Sequence, residues 1–263
     1  VLLLFLCSKF GISDDAAGWI YAVFYFLIYV LSLPGGIIAD RTQKYKTTII
    51  TGLLVMALGY GLLSIPVFAE TTGMSWVLVF TCFALLLIAA GNGLFKGNLQ
   101  AIVGQMYDDF EAQAAAQGPE ALARAKSKRD AGFQIFYVFI NIGGVIAPFV
   151  APLLRSFWLK AHNFAYNADL PRLCHKMLDG STMSEGDVAN LNELAANVGH
   201  TGVVDTNFCS QYLETFNTGV HLSFIASVVA MLISFFIFVA VLKRLPNPAK
   251  KEKKANISKE ESA

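Results

Sequence analysis

Long stretches without a charged side chain dominate this sequence and decide what it can become. Five segments, Trp19–Ala39, Thr47–Ala69, Trp76–Met106, Ala131–Leu154 and Thr218–Leu242, contain no Asp, Glu or Arg. Each is long enough to cross the hydrocarbon core of a bilayer as a helix, which takes about 20 mostly apolar residues. A trans-bilayer strand needs only about 9–11 residues, so runs of this length exclude a barrel. Charged residues make up 15% of the chain, whereas a soluble domain carries about 25%. That is too little charge to clothe a water-soluble surface, and it excludes a soluble globular enzyme. The net charge of +1 offers no electrostatic footprint for nucleic acid. The chain reads as an all-α integral membrane protein.

Val1–Leu6 is apolar but too short to span, and it reads as the tail of a helix that begins upstream of Val1. A signal peptide would need a basic leading region and a small-residue cleavage site, and neither is present. Orientation follows from the basic residues, which gather on the cytoplasmic side of membrane proteins. One set of connections holds Arg41, Lys44 and Lys46, then Arg124, Lys126, Lys128 and Arg129, then the tail from Lys243 to Lys259. The other holds Lys9, Arg155, Lys160, Arg172 and Lys176, spread more thinly. The first set is expected to be cytoplasmic, which puts both ends of a six-helix unit inside. That is the topology of one half of a twelve-helix secondary transporter.

Four parts follow: helices 1 (partial) to 5 over 1–155, an extracytoplasmic insert over 156–217, helix 6 over 218–242, and a cytoplasmic linker over 243–263. Asp108–Asp130 reads as a helical, solvated cytoplasmic connection. Within the insert, Leu170–Leu178 is expected to form a helix stopped by Gly180. Ser184 with Asp187 is expected to open a second as a capping box. The tail beyond Leu245, rich in Lys, Glu and Pro, reads as a solvated linker beside membrane lipid.

Polar groups recur on single helix faces. Asn92, Lys96 and Gln100 are spaced i, i+4, i+8 and stack on one face, with Gly93 and Gly97 as a small-residue pair beside it. A lysine within a span costs about 2.5–3.5 kcal/mol on insertion scales and marks a wet cavity or a partner. Tyr21, Tyr25 and Tyr29 also share a face, and Tyr29 lies mid-span, where its hydroxyl needs a partner. Gln134, Tyr137 and Asn141 fall at i, i+3, i+7, followed by Gly143, Gly144 and Pro148. Asn141 there fits either helix packing or a ligand contact.

No zinc-protease, phosphate-loop or intramembrane-protease pattern is present, so the chain does not read as an enzyme, and no metal or cofactor is expected. His162, His175, His200 and His221 are scattered and read as surface residues. Cys174 and Cys209 both lie in the insert, on the oxidising side, where a disulfide and two free thiols are equally open. Cys7 and Cys82 read as packing residues.

Three stretches together resemble the proton-dependent oligopeptide transporter family of the major facilitator superfamily. Gly35-Gly-Ile-Ile-Ala-Asp-Arg41 with Lys44 and Lys46 resembles the signature after its second helix, with Lys44 in place of a usual Gly. Gly91-Asn-Gly-Leu-Phe-Lys-Gly-Asn98 is similar to the fourth-helix motif, with Gly97 in place of Pro. Arg129 to Gly143 closely resembles the fifth-helix signature. The resemblance covers Trp19–Pro152 and leaves the insert outside. It implies the N-terminal six-helix bundle of a transporter importing di- or tripeptides with protons by alternating access. The proton gradient would be the coupling agent, and a C-terminal half the intramolecular partner. Carried over by position, Lys96 would meet the peptide carboxylate, Tyr29 would contact substrate, and Asn141 would hydrogen-bond the peptide backbone. Asp40, Arg41 and Lys44 would form a gating loop. The alternatives are the same scaffold carrying nitrate, a drug or another anionic or zwitterionic solute, and a non-transporting assembly module. The location implied is the bacterial inner membrane.

Overall fold

Where the apolar segment Trp19–Ala39 should run unbroken, Pro34 intervenes. Proline has no backbone N–H to give the carbonyl four residues back, and its ring crowds that carbonyl. In the computed structural model, which describes residues 2–66 and 74–246, this segment folds as two successive helices. Helix α1 covers Leu2–Phe10, α2 covers Asp14–Val30 and α3 covers Ser32–Thr42, with the break at Leu31. The Ser32 hydroxyl donates to the Tyr29 carbonyl at the break, and Leu31 and Gly35 still make backbone bonds to Leu27 and Leu31. The span therefore continues through the break.

The remaining helices are α4 (Tyr45–Ser64), α5 (Met74–Gln117), α6 (Pro119–Ala161), α7 (Leu170–Leu178), α8 (Glu185–Asn197) and α9 (Thr206–Val241). No strand occurs among the described residues. Among the described residues, five helical stretches are long and apolar enough to cross a membrane: Asp14–Thr42, Tyr45–Ser64, Ser75–Gln117, Pro119–Ala161 and Thr206–Val241. The protein is an all-α, multi-pass membrane protein.

Two helices run well past their apolar cores. At 1.5 Å per residue, the 44 residues of α5 extend about 65 Å, roughly twice the hydrocarbon thickness. The connection Asp108–Asp130 is thus no separate element but the continuation of α5 and α6. Its Ala- and Gln-rich composition carries the helix onward until Gly118, at φ +117°, allows the turn. At the other end, α6 continues to Ala161, and α9 begins at Thr206.

The fold divides into two compact units, and each long helix contributes to both. The first comprises residues 1–25, 59–85 and 146–229. Its core is aromatic: Phe5 meets Phe224 edge-on with ring centroids 5.2 Å apart, Phe164 meets Tyr212 at 5.4 Å, and Tyr166 stacks on Phe216. The insert helices belong here. Helix α7 ends with Gly180 at φ +66°, and α8 opens with a reciprocal Ser184–Asp187 capping box, both as the sequence predicts.

Three groups read as surface or loop residues are instead buried in this unit: Lys9, Arg155 and His221. The Lys9 ammonium lies 3.2 Å from His221 Nε2, while His221 Nδ1 lies 2.6 Å from the Leu63 carbonyl. The Arg155 guanidinium sits 4.1 Å over the Tyr166 ring and faces Phe216 as well. Cation–π contact replaces the missing carboxylate. Sequence position placed these residues beside the membrane ends, but tertiary packing closed over them.

The second unit comprises residues 26–58, 86–145 and 230–263. Its buried cluster is Ala39, Tyr45, Ile49, Leu53, Met56, Ile102 and Phe238. Lys46 of α4 donates to the carbonyls of Leu242 and Leu245 at 2.9 and 2.7 Å, capping the end of α9. The tail beyond Pro246 and residues 67–69 of the segment Thr47–Ala69 lie outside the described residues.

Candidate functional site

Within the second unit, α5 is gripped on two sides by backbone rather than side chain. A methyl on Gly35 of α3 would collide with the Gly93 carbonyl oxygen, and one on Gly93 would meet the Leu31 carbonyl at 2.5 Å. Two residues earlier, Gly91 faces Gly52 of α4, with 2.7 Å between a Gly52 methyl and the Gly91 oxygen. Positions two apart point about 200° apart on a helix, so α3 and α4 approach α5 from different sides. Gly97, expected to share the close approach, faces open space. The small-residue seam runs through Gly91 and Gly93 instead.

Asn98 locks this seam. Only 1% exposed, its side-chain amide donates to the Gly35 carbonyl at 3.1 Å and to Leu94 at 2.8 Å. Sequence reasoning quoted Asn98 within a motif but gave it no role. A buried amide one residue past a glycine, on an otherwise apolar helix, was the available signal, since such a group must find a partner.

One helical turn from this seam, the Lys96 ammonium lies 4.8 Å over the ring of Tyr29. The two residues come from α5 and α2, and both are exposed on the surface of the unit. None of the ion pairs among the described residues involves Lys96. The tyrosine face therefore steadies a cation whose charge stays available. Farther along the same α5 face, Gln100 donates to the Tyr137 hydroxyl of α6 at 3.3 Å, bringing in the polar face of α6. Asn92, the third member of the α5 row, turns its oxygen into a buried position with no hydrogen-bond partner.

Asn141 lies one turn beyond Tyr137 on α6, exposed and making no side-chain hydrogen bond among the described residues. It is not brought into contact with Tyr29 or Lys96. Tyr21 and Tyr25 pair with each other in the first unit, ring centroids 4.8 Å apart.

Of the loop residues, Asp40 accepts a hydrogen bond from the Tyr45 hydroxyl, and its carbonyl accepts one from Gln43. Arg41 and Lys44 are exposed. The turn places Gln43 in the left-handed region at φ 54°. On the α5–α6 extension, Arg129 reaches both Asp108 and Glu111, at 3.6 and 3.3 Å. No group of three or more His, Cys, Asp or Glu side chains among the described residues could hold a metal ion.

A family model described as "POT family" matches residues 46–178, which takes in Lys96, Asn98, Arg129 and Asn141. The chain belongs to the POT family. Among curated relatives, it is 34% identical over 159 residues to a dipeptide and tripeptide permease B of Shigella dysenteriae, covering 59% of this chain. It is 28% identical to a protein of the same description from Xenorhabdus bovienii over 156 residues. The corresponding Aliivibrio fischeri protein matches at 27% over 166 residues, 63% of this chain. These matches span only 27–28% of the relatives' own length. No solved structure matches. For a POT-family chain, the glycine seam and the Asn98 bonds place Lys96 on a fixed helix rather than on a loop.

Proposed function

We propose that the full-length protein imports di- and tripeptides together with protons, and that this chain supplies the N-terminal six-helix half. The observation that carries the reading is the Lys96 ammonium over Tyr29, a cation on a membrane-spanning helix without a carboxylate partner among the described residues. A zwitterionic peptide offers the missing anion. Lys96 binds its C-terminal carboxylate, Tyr29 packs beside it, and Asn141 hydrogen-bonds the peptide amide, with Gln100 and Tyr137 completing a neutral polar strip.

Coupling to protons follows from opposed effects on one amine. A bound carboxylate favours charged Lys96, while closure of the site away from water favours the neutral form. Substrate arrival and departure thereby change the affinity for a proton. Alternating access arises from rocking this bundle against a C-terminal half, with Asp40, Arg41 and Lys44 at the turn that opens and closes. Helix α6 fits the face for that half, because none of its most apolar window is buried within this chain. The clustering of Lys and Arg supports an inner-membrane protein with both ends of this unit in the cytoplasm.

The test is uptake of a labelled dipeptide by the full-length protein in proteoliposomes, with and without an inward proton gradient. Gradient-driven uptake is expected, falling about 10- to 100-fold in Lys96→Ala, the value of a charge-assisted hydrogen bond. A folded protein that takes up no peptide overturns the substrate assignment. It would turn the search to nitrate and other anionic or zwitterionic solutes on the same scaffold. A folded protein that takes up none of these solutes would favour the assembly module.

A further inference from the structure

The insert carries chemistry that peptide transport does not use. Cys174 on α7 and Cys209 on the first turns of α9 are both completely buried, at 0% exposure, and both are present as thiols. The Cys209 sulfur lies 3.8 Å from the sulfur of Met177, which stands three residues after Cys174 on the same face of α7. Around them close Leu170, Leu173 and Tyr212, also without exposure. Interaction with Cys209, followed by burial, pushes the Cys174 thiol up from its ordinary range. Both side chains are sealed from solvent.

We propose that Cys174 and Cys209 are the two halves of a structural disulfide that staples α7 to the root of α9. Paired thiols persist as disulfides only on an oxidising side of the membrane. The sparse distribution of Lys and Arg in the insert places it there. Complete burial dates the reaction to folding, before α7 seats against α9. The oxidant is a disulfide-bearing thiol oxidase. One cysteine thiolate attacks the oxidant's disulfide to give a mixed disulfide, and the other cysteine displaces the oxidant as a dithiol. Two S–H bonds break, one S–S bond forms, and two electrons and two protons pass to the oxidant. The product closes residues 174–209 into a loop that contains all of α8 and ties the insert directly to a membrane span. Cys7 and Cys82, partly or fully exposed and elsewhere in the fold, stay reduced.

The experiment uses the full-length protein in membranes from cells quenched with acid, so that no thiol exchanges during handling. The sample is alkylated in denaturant without reductant, digested and read by mass spectrometry. The expected result is a linked pair of peptides carrying Cys174 and Cys209, which separates and takes up label only after reduction, while Cys7 and Cys82 are labelled throughout. A Cys174→Ser variant is expected to leave Cys209 open to label in denaturant before any reductant is added. Label on both Cys174 and Cys209 of the wild type before reduction overturns the proposal, whatever the outcome of peptide uptake. So does a Cys209 that stays unlabelled in Cys174→Ser.

Discussion

Asn98 of α5 donates its side-chain amide to the backbone carbonyl of Gly35 in α3, at the point where the two helices touch through glycine. The bond is possible only because neither backbone is held off by a side chain. Gly35→Ala must part the helices and stretch this bond, because the opposing Gly93 oxygen is backbone and cannot rotate away. The expected cost is about 1–3 kcal/mol, that of overpacking. Gly97→Ala faces open space and should gain up to about 1 kcal/mol from helix propensity. Thermal unfolding of the two variants in detergent checks the contrast, and equal destabilisation would remove the seam from its central role.

Tyr29 can act through its ring or its hydroxyl. The ring lies under the Lys96 ammonium, so Tyr29→Phe keeps the contact and is expected to leave the KM for dipeptide within about twofold. Tyr29→Ala loses about 0.5–1 kcal/mol of cation–π attraction, and KM should rise roughly three- to fivefold. If Phe behaved like Ala in the uptake assay, the hydroxyl would be the working group.

Lys46 gives a test of stability away from the substrate face. Its ammonium serves two carbonyls at the end of α9, where a positive charge also complements the helix dipole. Lys46→Met should cost about 1–2 kcal/mol, read as a lowered midpoint of denaturant unfolding. Lys46→Arg should recover part of the loss.

Asp187 makes the insert sensitive to acid. Its hydrogen bond from Lys176, then those from Ser184, lower its pKa below the ordinary 3.8. A carboxyl depressed in the folded state adds stability that is fully present above its unfolded pKa and disappears as pH falls through the native one. Amide hydrogen exchange in α8 should therefore quicken as pH drops below about 4, after correction for intrinsic rates. Asp187→Asn should exchange fast at neutral pH and show no such dependence.

The polar faces were legible from spacing because a helix returns to the same side every three to four residues, which is how Lys96, Gln100, Tyr29 and Tyr137 were found. The capping box was equally plain, since Ser184 and Asp187 act locally. Rotation of one helix against another was not legible. The sequence offers Gly91, Gly93 and Gly97 alike, and only packing decides that the first two meet neighbours. The connection Asp108–Asp130 was read as helical, but its continuity with α5 and α6 was not foreseen. Hydropathy reports where a bilayer is favourable, whereas Asp108–Gln117 stays helical on propensity after the apolar run has stopped. The burial of His221 against Phe5 and of Arg155 against Phe216 depends on rings far away in sequence.

The hairpin at Gly118 has a practical use. Helices α5 and α6 enter and leave that turn without interruption, and the Arg129 rung to Asp108 and Glu111 fastens one to the other. A rigid marker protein grafted there through continuous helices would inherit the orientation of the second unit instead of swinging on a tether. For a membrane protein, that makes the hairpin a natural handle for aligning single-particle images.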